Sequence, residues 1–296
     1  LFGGAENSMR TQELAPAKIN LALDILGRRA DGYHELRMVM QTVSLCDVIT
    51  VEEGGTGFTL LTGEAFSLPA DKVSMEQRAA EAFFAALGVP VPPLTVRLEK
   101  NIPAFAGLGG GSADVAALLR CLRRLYAAGM PDEALRAIGL TVGSDVPFCV
   151  SGGTSLAEGR GERLTDLPPL PVCQIVLCKP DFGISTPELF VLADGAVLSK
   201  RPDIAGLTAA LQGGELTGVT DRLCNVFEEF LPERYREVFR IKEILLAHGA
   251  LNAAMSGSGP TVYGIFESAA EAQRAAEVLK KSYQQTYVAK PVKKLV

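Results

Sequence analysis

The stretch GLGGGSAD, residues 107–114, constrains this chain most: four glycines fall in five positions, and a serine then leads into an apolar, alanine-rich run. From Ser112 to about Ala128, Val115, Leu118, Leu119, Leu122 and Leu125 recur on one face, which predicts a long helix with a buried stripe. Bare backbone ahead of a helix start leaves N–H groups pointing outward, where the aligned peptide dipoles favour an anion. The same glycines also suit a plain flexible linker. Neither common nucleotide loop fits. No lysine follows Gly111, as a Gly-x-x-x-x-Gly-Lys-Ser/Thr element requires. Nor can Gly107, Gly109 and Gly110 be fitted to Gly-x-Gly-x-x-Gly. Phosphate binding here would rest on loop amides, the helix N-terminus, and the Ser112 hydroxyl as a ligand for phosphate or Mg2+.

Upstream, residues Ala15 to Leu26 alternate, with Ile19, Leu21, Leu23 and Ile25 on one face and Lys18, Asn20, Ala22 and Asp24 on the other. This predicts a half-buried strand with Lys18 and Asn20 side by side on its more polar face. The turn-rich GRRADGYHE (27–35) follows. Strands are expected over Val39–Val43, Val48–Glu53, Phe58–Leu61 and Leu94–Glu99, and a helix over Val73–Leu87 opened by Ser74-x-x-Gln77. A short helix near Pro131–Ile138 precedes the loop TVGSDVPFCVSGG (141–153). The proline cluster LPPLPV (167–172) marks the expected boundary between a domain of residues 9–166 and one of 167–296. Beyond it, strands are expected at 172–178 and 286–290, with helices at 187–193, 222–230, 233–247 and 268–281. Strands and helices mix without regular βαβ repetition, so the expected class is α+β.

Composition removes whole classes of function. At 48% hydrophobic and 21% charged residues the chain reads as a soluble globular protein. A net charge of −5 without a basic stripe argues against a nucleic-acid partner. No apolar run approaches the roughly 18 residues of a membrane span. Six scattered cysteines without a CxxC pair, and only two histidines, suit reduced thiols in the cytoplasm and argue against a structural zinc site.

Several residues admit two local readings. Asp145 in GSDVPF either caps a turn or is poised to orient or deprotonate an attacking hydroxyl. Lys18 is a solvent-facing lysine or, near Asp145, a neutraliser of a transferring phosphoryl group. AMSGSGPTV (254–262) is a tight turn or a second small-residue loop around a polyphosphate. Thr186 before Pro187 fits an N-cap with proline at N1. Phe190 fits a core aromatic, and His248 with Gly249 fits a helix C-terminus.

Taken in order, APAKINLAL (15–23), PAFAGLGGGSADVAALL (103–119) and NAAMSGSGPTVYGIF (252–266) resemble the three signatures of the GHMP kinases, the family named after galactokinase, homoserine kinase, mevalonate kinase and phosphomevalonate kinase. Within it, the Gly-Tyr-His loop of residues 18–49, together with GSDVPFC and NVFE (225–228), is similar to members that phosphorylate the 2-hydroxyl of a CDP-linked methylerythritol for non-mevalonate isoprenoid synthesis. The resemblance implies a first domain like the second domain of ribosomal protein S5 and a ferredoxin-like second domain. It implies ATP and Mg2+, with Asp145 as the catalytic aspartate, Lys18 as its partner and Asn20 as a substrate-positioning residue. Tyr33, His34 and Phe190 fall where the cytosine is stacked and hydrogen-bonded, with Thr186 nearby. Lys100, Pro103, Gly107, Leu108, Gly109, Gly110, Gly111 and Ser112 fall on the nucleotide side, and Ser256, Gly257, Ser258 and Gly259 on the third-motif loop. Three positions depart from the pattern. Phe105 stands where glycine or alanine is usual, Ala113 replaces a common second serine, and Ser74 replaces a frequent adenine-side asparagine. A sister kinase acting on homoserine or mevalonate, and a nucleotide-binding regulator without catalysis, are the competing readings.

Overall fold

The computed structural model describes residues 9–63 and 73–295. In chain order its elements are β1 (Arg10–Arg28), β2 (His34–Glu53), β3 (Phe58–Thr62), α1 (Met75–Leu87), β4 (Leu94–Glu99), α2 (Gly110–Tyr126), α3 (Asp132–Leu140) and α4 (Val146–Ser151). There follow β5 (Thr154–Gly159), β6 (Arg163–Asp166), β7 (Gln174–Lys179), α5 (Thr186–Gly195), α6 (Ile204–Gly213), α7 (Leu216–Thr220) and β8 (Cys224–Asn225). The last are α8 (Glu237–Ala247), β9 (Asn252–Met255), β10 (Val262–Phe266), α9 (Ala269–Lys280) and β11 (Gln285–Ala289). Among the described residues no helix is long and apolar enough to cross a membrane.

The described residues form two compact units that interleave in sequence, one drawn from 9–15, 46–63, 73–101 and 110–150, the other from 16–45, 102–109 and 151–295. Their limits differ from the expected break at 166/167 because β1 and β2, at 19 and 20 residues, each contribute to both.

In the first unit, Val48–Glu53 of β2 pairs antiparallel with Leu94–Glu99 of β4, and β3 runs parallel to β4. Helices α1, α2 and α3 pack on one another. The Ser74 hydroxyl caps α1 by accepting from the Gln77 amide at 2.9 Å, and Gly88 closes it in the left-handed conformation. Phe83 and Phe84 are buried from α1, and Val115, Leu118, Leu119 and Leu122 from α2. Each such side chain contributes about 1.5–3 kcal/mol of burial.

In the second unit, β5 pairs antiparallel with β2, from Leu36 opposite Gly159 to Gln41 opposite Thr154, and β8 runs parallel to β1. A second sheet has the order β11-β7-β10-β9, all antiparallel, with α8 and α9 packed on it. Numbered along this segment the strand order is 4-1-3-2, the ferredoxin-like βαββαβ arrangement.

Three local expectations change. The strand carrying Lys18 is covered on both faces: Lys18, Asn20, Ala22 and Asp24 are buried along with Ile19, Leu21 and Leu23. Its polar side chains are paired, Asp24 with Arg201 at 2.7 Å and Lys18 with Asn20 at 2.8 Å, which offsets their desolvation. The two expected strands at 39–43 and 48–53 are one, because Ser44 donates to the Lys290 carbonyl and accepts from the Lys290 amide, both at 2.9 Å. The expected helix at 222–230 is instead β8 followed by a short 3-10 turn at Val226–Phe230. There the Asn225 side chain takes up the Phe227 amide, competing with helical bonding.

Candidate active site

Lys18 is held from three directions within the second unit. Its amide donates to the Leu108 carbonyl at 2.9 Å, joining β1 to the glycine-rich loop. Its methylene stem crosses Gly109, where a Cβ would meet Lys18 Cγ at 3.0 Å and Cε at 3.2 Å. Its ammonium reaches Asn20 Oδ1 at 2.8 Å and lies against Gly257, where a Cβ would meet Nζ at 3.3 Å. Larger side chains at Gly109 or Gly257 would displace the lysine, which is the physical reason these glycines are needed beside it.

The third-motif loop closes onto the same place. Gly107, at φ 74°, is so close to the turn that a Cβ would stand 2.2 Å from the Ser256 carbonyl and 2.9 Å from the Gly259 amide. Ser256 Oγ donates to the Gly107 carbonyl at 2.9 Å, and the Ser258 and Thr186 hydroxyls share a 2.6 Å bond. Asn225 Nδ2 donates to both the Met255 and Gly257 carbonyls at 2.8 Å, and the buried Tyr263 hydroxyl donates to the Asn20 carbonyl at 2.8 Å. Asn225 and Tyr263 lie in motif stretches, and no local pattern marks either as a site residue. Thr186 opens α5 instead of capping it. Ser185 takes the cap position and Pro187 falls within the first turn.

The residues of the Gly-Tyr-His loop sit in the same unit. The His34 ring stacks on Phe190 with centroids 4.6 Å apart and planes 19° apart, and Phe190 meets Phe227 edge-on at 5.2 Å. His34 Nε2 lies 2.8 Å from Asp194 Oδ1, which also faces Arg28. Phe190 thus faces His34, and Tyr33 remains 55% exposed. Pro103 is half-buried ahead of the glycines. Phe105 adopts φ 51°, a left-handed conformation that explains why glycine suits this position, and its side chain is 82% exposed.

In the first unit, Gly110, Gly111 and Ser112 form the first turn of α2, whose opening N–H groups have no intrahelical acceptors. Lys100, at the end of β4, bridges two carboxylates, Asp47 and Asp114, the latter at 2.7 Å. Asp47 also accepts from the Asn101 amide. Burial pushes the Asp114 carboxyl up to about 8, against the pull of Lys100 and with the help of Asp47. Burial acts to lower Lys100, and the two carboxylates outweigh it, holding the ammonium above the usual lysine value. Asp47 and Asp114 therefore fix Lys100 in place, and no local sequence pattern marks either of them.

Asp145 immediately precedes α4, and its carbonyl accepts from Cys149 at 3.1 Å. Arg120 of α2, itself buried, donates to the Cys149 carbonyl at 2.8 Å and the Leu14 carbonyl at 2.7 Å. That ties the end of α4 to α2. Gly143 lies beside Ser112, whose hydroxyl would stand 3.7 Å from a Cβ there, so the Asp145 loop and the α2 start are neighbours within this unit. Ser74, the residue in the adenine-side asparagine's place, is occupied in capping α1. Lys18 and Asp145 belong to different units.

Comparison with known proteins agrees with this architecture. The GHMP kinases N terminal domain matches residues 75–153, and the GHMP kinases C terminal domain matches residues 208–285. A 4-diphosphocytidyl-2-C-methyl-D-erythritol kinase of Caldicellulosiruptor bescii is 40% identical over 266 residues, covering 90% of this chain and 93% of the relative. One of Clostridium acetobutylicum is 37% identical over 278 residues, covering 94% and 99%. A solved 4-(cytidine 5'-diphospho)-2C-methyl-D-erythritol kinase superposes with a TM-score of 0.80 at 33% identity, covering 95% of this chain and 99% of that one. With both conserved domains present and such identity along nearly its whole length, the chain belongs to the GHMP kinase family and, within it, to the 4-diphosphocytidyl-2-C-methyl-D-erythritol kinases.

Proposed function

We propose that this enzyme transfers the γ-phosphoryl group of ATP to the 2-hydroxyl of 4-diphosphocytidyl-2-C-methyl-D-erythritol, a step of non-mevalonate isoprenoid precursor synthesis. The observation that carries the reading is Lys18 locked between Gly109 and Gly257, which gives a buried, oriented cation beside two small-residue loops. The amides of Gly110, Gly111 and Ser112 hold phosphate oxygens at the helix start, joined by the Ser112 hydroxyl. Pro103, Gly107, Leu108 and Gly109 shape the approach to them. Asp145 accepts the proton of the substrate hydroxyl as its oxygen attacks, and the proton ends on the Asp145 carboxylate. Lys18 offsets the negative charge spread over the transferring group, and Asn20 positions both Lys18 and the acceptor. Tyr33 stacks on the cytosine, with His34 and Phe190 beside it and Thr186 and Ser258 at the loop.

Mg2+ bound with ATP would neutralise phosphate charge. The donor set suits an ion that arrives with the nucleotide, since Mg2+ needs few protein ligands when phosphates supply the others. Among the described residues no group of three or more His, Cys, Asp or Glu could hold a metal.

Asp145→Asn tests the assignment, with ADP release measured in the presence of Mg-ATP and the CDP-linked substrate. The expected result is a fall in kcat of about 100- to 10,000-fold with the protein still folded. A kcat within a few fold of wild type would remove Asp145 from the chemistry.

A further inference from the structure

The β5–β6 hairpin carries a residue, outside every family motif, that lies against the Tyr33 ring. The Arg160 guanidinium carbon lies 4.7 Å from the centroid of the Tyr33 ring. Arg160 sits at the hairpin turn between Gly159 at φ 75° and Gly161 at φ 112°. The turn is fixed by its own bonds: the Arg160 amide donates to Glu162 Oε2, and Gly159 lies so close to Glu162 that a Cβ would meet its Oε1 at 2.6 Å. The hairpin grips the Tyr33 loop a second time, because Arg163 donates to Glu35 Oε1 at 2.8 Å. Inside that loop Arg29 donates to Glu35 Oε2 and Asp31, Asp31 accepts from the Tyr33 amide at 3.1 Å, and the Arg29 amide donates to the Tyr33 carbonyl at 2.7 Å. The backbone of the loop is thereby pinned, and the Tyr33 side chain stands 55% exposed on it.

We propose that Arg160 is a substrate-positioning residue: it holds the Tyr33 ring by a cation–π contact on one face so that the other face is set to stack on the cytosine. This rests on the cytidine reading of the site given above. An exposed tyrosine samples several rotamers, and a base stacking on it must first restrict them. A guanidinium already seated on the ring restricts them before the ligand arrives. Arg160 touches neither the transferring group nor the acceptor hydroxyl in this scheme, so it acts on binding of the CDP portion and leaves the chemical step alone.

Arg160→Met keeps the length of the stem and removes the charge. The expected result is a two- to five-fold rise in KM for 4-diphosphocytidyl-2-C-methyl-D-erythritol, roughly the worth of one exposed cation–π contact, with kcat and KM for ATP unchanged. Calorimetric titration of CDP alone should weaken by the same factor, and Arg160→Lys should recover part of it. In a Tyr33→Leu background, Arg160→Met should have no further effect, because the contact is already gone. CDP binding at wild-type strength in Arg160→Met, or an equal loss in the Tyr33→Leu background, overturns the proposal while leaving the kinase reading intact. Failure of the wild-type enzyme both to bind CDP and to turn over the CDP-linked substrate, with turnover of another alcohol, removes the cytidine reading and this inference with it.

Discussion

Gly107→Ala offers a quantitative test of how the glycine-rich loop is built. The residue sits at φ 74°, where an L side chain costs about 1–2 kcal/mol. Its Cβ would also stand 2.2 Å from the Ser256 carbonyl, and ordinary contact begins at 3.4 Å, so the two loops must part by about 1.2 Å. That movement breaks the Ser256 Oγ bond to the Gly107 carbonyl and strains the Gly259 amide bond to the Ser256 carbonyl, both 2.9 Å in the native loop. Each is worth about 1 kcal/mol, so the total loss is about 3–4 kcal/mol. At roughly 2–4 °C per kcal/mol, calorimetry should show a fall in Tm of about 6–16 °C. Gly111→Ala is the built-in contrast. Gly111 lies in α2, and its Cβ would meet only Met75 Sδ at 3.6 Å, so stability should hold or rise by about 0.5–1 kcal/mol while KM for ATP increases. A Gly107→Ala protein with wild-type Tm, or a Gly111→Ala protein that melts as early, would show that Gly107 is not needed for the approach of the two loops.

Two further substitutions test other parts. Asp114 is held at about 8 against an ordinary 3.8, so the folded chain keeps a proton that the unfolded chain releases. Its contribution is full below pH ~4 and is lost as pH rises to about 8, with a slope of at most ~1.4 kcal/mol per pH unit. Urea unfolding of Asp114→Asn at pH 5–8 should show a shallower decline than wild type, and parallel curves would contradict the shift. Phe105→Gly removes a side chain that is 82% exposed and relieves its φ of 51°. It should raise stability by up to about 1 kcal/mol, and a loss would show that the ring packs favourably.

What could be read from the sequence was local. The Ser74 cap, the stripe of α2 and the extent of β4 depend on neighbours a few residues apart and form as expected, although the Gln77 side chain turns to Glu81 and leaves the capping box half made. The three motif stretches identified the family for the same reason. The partners that fix the site residues are distant in sequence and carry no local signature. Asp47 reaches Lys100 across 53 positions, and Asp194 reaches His34 across 160. Periodicity also misread β1, because alternation of polar and apolar residues suggests a wet face. Here that face is buried with its polar groups paired. Asn225 shows the opposite limit: the helical pattern around it is overruled by two carbonyls from a loop some 30 positions away.

Substrate class is decided by ADP release from the wild-type enzyme with Mg-ATP and 4-diphosphocytidyl-2-C-methyl-D-erythritol, beside parallel reactions with homoserine and with mevalonate. Rapid turnover of the CDP-linked substrate and none of the other two is expected. Turnover of homoserine or mevalonate in its place, or silence with all three from folded protein that binds ATP, would contradict it.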